Sequence, residues 1–150
     1  MFTHEPSDVR SAPEAAELAG VTYRQLDYWT RKGWIDPAAV EEISAGRRVR
    51  RYGAPEIVQC ALLAHLGGSG IDVTPYGPHV AELGALGPDD LVVIGPAGAL
   101  EVVAATELRQ RVGQRGRHVV FDPEVVLRRF GGRSGDGLEA DRVETGRRSA

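Results

Sequence analysis

Two sets of helix start and stop signals lie back to back between residues 11 and 33, and they leave few folds open. Ser11-Ala12-Pro13-Glu14 has the form of a capping box: the serine hydroxyl can accept from the N–H three residues on, and Glu14 can reach back. Pro13 fits a first turn, where N–H groups are spare. Ala15, Ala16, Leu18 and Ala19 supply a small apolar face, and Gly20 ends the helix. Thr22-Tyr23-Arg24-Gln25 is a second box, opening a helix that runs to Lys32 and stops at Gly33. Two short helices joined by a tight glycine-containing turn are the signature of a helix-turn-helix.

The next segment changes period. Val40 to Ile43 and Arg48 to Tyr52 flank the turn Ser44-Ala45-Gly46, which predicts a β-hairpin with its basic residues on the second arm. A third helix is expected after Pro55, where Ile57, Val58, Ala61, Leu62, Ala64 and Leu66 recur at helical spacing. A short fourth helix is expected over about Thr74 to Leu83, with Pro75 in its first turn. Adjacent helical positions point about 100° apart. Leu26 and Trp29 are therefore assigned to packing and Tyr28 to the surface, with Trp34 as a core plug between the second helix and the hairpin.

The run Thr22-Tyr23-Arg24-Gln25-Leu26-Asp27-Tyr28-Trp29, then Gly33-Trp34-Ile35 and Pro37, then Arg51-Tyr52 and an apolar helix, resembles the MerR-type winged helix-turn-helix, actinobacterial members especially. The resemblance covers residues 11–83. It implies that the second helix enters the major groove and that the hairpin, as a wing, contacts the flanking backbone. The implied base-reading and phosphate-contacting residues are Thr22, Tyr23, Arg24, Gln25 and Tyr28, with Arg31 and Lys32 on the same helix. The implied wing contacts are Arg47, Arg48 and Arg50, with Arg51 beside them. The chemistry agrees: Arg can pair with guanine, Gln with adenine through both amide atoms, and a Tyr hydroxyl can donate to phosphate. Two positions depart from the family. Asp27 stands where an arginine is usual, and Arg24 and Arg31 lie within reach to shield it. Gly53-Ala54 replaces the usual acidic cap after the wing. The family's long dimerisation helix has no counterpart after Leu86.

The fold expected is thus a mainly α winged helix-turn-helix domain at 11–86, followed by a small α/β module at 89–130. That module has strands at Leu91–Ile94, Leu100–Val103 and His118–Phe121, a helix at Thr106–Val112, and a last helix capped by Asp122-Pro123-Glu124 and running to Phe130. Residues 1–10 read as a flexible leader, 131–150 as a disordered tail, and Gly87-Pro88 as the boundary between the folded parts. A net charge of −3 does not oppose DNA binding when four arginines fall between positions 47 and 51 with no acid among them.

No apolar stretch suits a membrane span, and no signal segment opens the chain, so a cytoplasmic, nucleoid-associated protein is expected. The single cysteine, Cys60, excludes an intrachain disulfide, and its spacing from His65 does not suit ligands on one helix face. No metal, no cofactor and no catalytic constellation is expected. The partner expected is double-stranded DNA, bound by a homodimer or a side-by-side assembly, with possible contact to RNA polymerase or a sigma factor. Two other readings stay open: an architectural factor such as a phage excisionase or recombination directionality protein, and a protein-binding adaptor with a degenerate winged helix.

Overall fold

The computed structural model describes residues 8–87, 89–95, 98–112 and 118–132. Helix α1 spans Ala12–Ala19 and α2 spans Tyr23–Arg31. Ser11 caps α1 by accepting from the Glu14 N–H at 3.4 Å, but the Glu14 carboxylate does not return to the cap; it faces Arg10 at 4.0 Å. The second box closes in both directions. Thr22 Oγ1 accepts from the Gln25 N–H at 3.1 Å, and Gln25 Oε1 accepts from the Thr22 N–H at 3.0 Å. Such a cap contributes about 1 kcal/mol and fixes where α2 begins.

The wing is a three-stranded antiparallel sheet, β1 (Arg10–Ser11), β2 (Ala39–Ser44) and β3 (Arg47–Tyr52), in the order β1-β3-β2. The expected leader therefore ends before Arg10, which pairs with Tyr52; residues 1–7 lie outside the described residues. The hairpin turn is the pair Ala45-Gly46, with φ of 43° and 80°. Positive φ at both central residues gives the twist that matches antiparallel strands. Alanine is an unusual occupant of that region.

Helix α3 (Ala54–Gly68) is apolar around most of its surface, and Ile57, Val58, Cys60, Ala61, Leu62, Leu63 and Leu66 are all buried. A helix of this kind belongs at the centre of a core. The acidic cap missing at 53–54 is supplied from Glu56, whose carboxylate accepts from the Gly53 N–H at 2.9 Å. The expected helix over 74–83 is instead a 3-10 helix at Gly77–Leu83. Pro78 has no N–H to give the Thr74 carbonyl, a bond that an α-helix begun at Thr74 needs. The Thr74 N–H bonds the Asp72 carboxylate at 3.0 Å, which holds that carboxyl below its usual range.

Downstream lie β4 (Asp90–Ile94), β5 (Leu100–Ala104) and β6 (Val119–Phe121), antiparallel in the order β5-β4-β6. A short 3-10 turn, Ala105–Glu107, leads into α4 (Leu108–Val112), and α5 spans Glu124–Gly132. Asp122 accepts from the Glu124 N–H at 3.0 Å, the cap expected from the sequence. Alternation along β4 gives the sheet two apolar faces. Val92 and Ile94, with Phe121 and Val126, join the same buried cluster as α1, α2 and α3. Leu91, Val93 and Val103 form a second, smaller core with Leu108 and Val120. Arg10 fastens α5 to the start of α1. Its guanidinium lies 4.4 Å from the Phe130 ring centre and donates to the Phe130 carbonyl at 3.4 Å. The downstream part is a β-rich module with two helices, packed on the helix-turn-helix. The stretch expected as a tail contributes Gly131 and Gly132 to α5, and 133–150 lie outside the described residues, as does Pro88 of the expected boundary.

Candidate nucleic-acid interface

Helix α2 buries Leu26 and Trp29, half-buries Asp27 and Thr30, and exposes Tyr23, Arg24, Gln25, Tyr28 and Arg31. At about 100° per residue, Arg24, Tyr28 and Arg31 share the outward face. Tyr23 and Asp27 turn toward the wing, while Gln25 and Lys32 turn away from it. Tyr28 is 47% exposed, and Tyr23 is 58% exposed. The Tyr28 ring stands edge-on to Trp34, with centroids 6.3 Å apart, and Lys32 Nζ lies 5.6 Å from its centre. Trp34 is buried, as the sequence implied, but its ring lies between Tyr28 of α2 and Gly77 of the 3-10 helix, where a plug against the hairpin was expected, and it fixes Tyr28 from behind.

Between α2 and the wing runs a groove lined by Tyr23, Asp27, Val40, Arg47, Arg48 and Arg50. Two ties hold its walls together. Thr30 Oγ1 donates to the Leu26 carbonyl at 2.8 Å, which leaves it to accept the Tyr52 hydroxyl at 2.9 Å. Burial pushes the Tyr52 phenol above its ordinary value, and the Thr30 bond offsets only part of that shift. The second tie is ionic. Asp27 Oδ1 accepts from Arg50 Nη1 at 2.9 Å, and Asp27 Oδ2 faces Arg31 Nε at 2.9 Å. The shield of Asp27 is therefore Arg31 and Arg50, and not Arg24 as the helical spacing suggested.

The predicted arginines separate into three groups. Arg24, Arg47 and Arg48 are exposed cations with no side-chain partner among the described residues. Arg31 and Arg50 share Asp27. Arg51, one position out of phase with Arg50 and Tyr52, turns to Glu41 at 3.3 Å and does not line the groove. Thr22 and Gln25 are exposed but committed to the cap. A bidentate reading of adenine by Gln25 needs both amide atoms, and Oε1 is already used twice, by the Thr22 N–H and at 3.3 Å by the Thr22 hydroxyl.

Thr30 and Tyr52 were not singled out from sequence as positioning residues. Their signal was readable: Asp27 and Thr30 stand three apart on a helix, Arg50 and Tyr52 two apart on a strand, so each pair shares a face. Among the described residues no group of three or more His, Cys, Asp or Glu could hold a metal ion. Burial and the nearby Glu56 charge push the Cys60 thiol up, out of reach of neutral-pH chemistry. No helix among the described residues is long and apolar enough to cross a membrane.

Two caps, a helix presented outward and a wing hairpin tied to it define a winged helix-turn-helix. Residues 11–73 match the model of the MerR HTH family regulatory protein, and this part of the chain is a MerR-family helix-turn-helix domain. Uncharacterized HTH-type transcriptional regulators of Mycobacterium tuberculosis and Mycobacterium bovis are 33% identical to it over 82 residues, or 55% of this chain and 36% of each relative. The chain thus spans about a third of the length of the curated relatives it matches.

Proposed function

We propose that this chain is a sequence-specific DNA-binding transcription regulator. Helix α2 lies in the major groove, with Arg24 and Tyr28 toward base edges and phosphates, while Arg47 and Arg48 at the wing bind the adjacent backbone. One observation carries this reading. Two exposed, unpartnered arginines, Arg47 and Arg48, line the groove between an outward helix and a wing, and a third, Arg24, stands on the outward face of that helix, in a chain whose net charge is −3. Solvation alone gives no reason to gather them there, and a polyanion does. Thr22 and Gln25 set the start and tilt of the reading helix, and Arg51 braces the hairpin.

The test is selection of bound duplexes from a random pool, followed by salt titration on the winner and on a scrambled duplex. Arg24→Ala should relax base preference at one position, and Arg48→Ala should weaken binding to every sequence and flatten the salt slope by about one unit. Absence of binding to any duplex at low salt refutes the proposal and favours a protein-binding adaptor.

The assembly on DNA is a homodimer or a side-by-side array. After residue 86 the chain folds back onto α1 and α3, and the longest helix there among the described residues is α5, with 9 residues. That favours contacts between compact units over a coiled coil. An isolated inverted repeat in the footprint identifies the dimer, and direct repeats identify an architectural array. Contact with RNA polymerase or a sigma factor would fall to surfaces outside the α2–wing groove.

A further inference from the structure

We infer that Asp27 is an internal counter-anion, which holds Arg31 and Arg50 off the phosphate backbone and so lowers non-specific affinity in favour of sequence discrimination. This rests on the DNA-binding reading above.

Asp27 is the one acid between Thr22 and Lys32, on the segment that would meet a polyanion. An unneutralised carboxylate there would repel DNA. It is instead neutralised twice, one oxygen to each guanidinium, at 2.9 Å in both cases. It does not stray to solvent: it lines the groove beside Tyr23, Arg47 and Arg48. Its two arginines come from different elements, α2 and β3, so the carboxylate sits where a phosphate oxygen bridging helix and wing would sit. A backbone phosphate that reaches Arg50 must share it with Asp27 or displace that carboxylate. Arg47 and Arg48 carry no such restriction. Sequence-independent affinity depends on the number of phosphates neutralised, each adding about 0.9 to the slope of log K against log salt. Pairing two of the interface's cations, Arg50 in the groove and Arg31 on the outward face of α2, inside the protein removes up to two from that count and leaves base contacts by Arg24 untouched. The same carboxylate fixes the wing against α2, so the free arginines at the wing tip keep their spacing from the reading helix.

Asp27→Asn keeps size and shape and removes the charge. The probes are the duplex selected from a random pool by the unaltered protein and a scrambled duplex of equal length. The variant is expected to bind the scrambled duplex about tenfold more tightly at moderate salt, with a slope steeper by about one to two units. The ratio of specific to scrambled affinity is expected to fall. Arg50→Gln, which leaves Asp27 its Arg31 partner, is expected to flatten the slope by less than half as much as Arg48→Gln does.

An unchanged slope for Asp27→Asn, a loss of affinity for both duplexes alike, or equal flattening by Arg50→Gln and Arg48→Gln overturns the inference. So does a changed base preference with an unchanged slope, which would make Asp27 a base reader. These results leave the DNA-binding reading standing. That reading fails only when the unaltered protein binds neither duplex. Should Asp27→Asn not fold, the two arginine variants alone decide the matter.

Discussion

Gly77→Ala tests the seam between Trp34 and the 3-10 helix at Gly77–Leu83. A Cβ at Gly77 would lie 2.2 Å from two ring carbons of Trp34 and 2.6 Å from a third. Carbon pairs rest about 3.5–4.0 Å apart, so the indole would have to retreat by more than roughly 1 Å. It has little room. Trp34 is 9% exposed, its neighbour Ile35 is fully buried, and its N–H is bonded to the Trp29 carbonyl at 3.0 Å. Overpacking of this kind costs about 1–3 kcal/mol, and the upper end applies because backbone and ring both resist. Displacing the indole also forfeits its edge contact with Tyr28, about 0.5–1.5 kcal/mol. The sum, about 3.5–4.5 kcal/mol, corresponds to a fall in Tm of roughly 7–18 °C for a chain of this size. The assay is thermal unfolding by far-UV circular dichroism, with the near-UV tryptophan band followed in parallel. Gly20→Ala is the control: it is left-handed, with φ 73° and ψ 30°, but no atom lies within 4 Å of the added carbon. It should cost only the left-handed penalty of about 1–2 kcal/mol. A Gly77→Ala protein melting within about 2 °C of the original would refute the packing of Trp34 on this backbone.

Ala45→Asn should stabilise the wing by about 0.5–1 kcal/mol, because Asn-Gly suits a turn with two positive φ values and alanine does not; chemical denaturation reads it, and a loss of stability would contradict the turn. Thr22→Ala should cost about 1 kcal/mol and fray the start of α2, visible as faster amide exchange at Gln25. Arg51→Ala should leave the salt slope of DNA binding unchanged within about 0.3 units, whereas Arg47→Ala should flatten it by about one. Stability should also fall above about pH 9. Cys60 and Tyr52 have folded pKa values above their ordinary 9.0 and 10.0, so the unfolded chain releases these protons first and is favoured as pH rises through that window. Below it both groups are protonated in either state and contribute nothing to the pH dependence; a flat stability curve from pH 8 to 10.5 would exclude the buried placement of both.

The sequence was most legible where chemistry is local. A cap needs only residues two or three apart, so Thr22–Gln25 and Asp122–Glu124 could be read directly, and the packing of Leu26 and Trp29 followed from helical phase. It was less legible where a backbone group is missing or a partner is distant. Pro78 interrupted the expected α-helix, and a 3-10 helix stands at Gly77–Leu83, because apolar spacing says nothing about an absent N–H group. Two residues are too few to carry a β pattern, and so Arg10 passed for leader, while Ser11 was legible only as the cap that it also is. The union of the downstream sheet with the main core depends on Val92, Ile94 and Phe121 meeting α3, and no spacing within one strand reports that.

The candidate site divides along the same line. Exposure and charge type could be read, since Arg24, Tyr28, Arg47 and Arg48 are polar-face residues on elements with clear phase. Pairing could not, because a carboxylate chooses among cations by distance in space. Asp27 has Arg24 and Arg31 at helical spacing, yet it takes Arg31 and, across the groove, Arg50. The substitution of acid for arginine at position 27 therefore changes more than one contact. It converts two cations that a count of arginines would assign to DNA into parts of a clasp, and it ties the wing to α2. Net charge and arginine count then overstate the phosphate contacts this surface can make, and what remains for the nucleic acid is the smaller set of guanidiniums that have no carboxylate beside them.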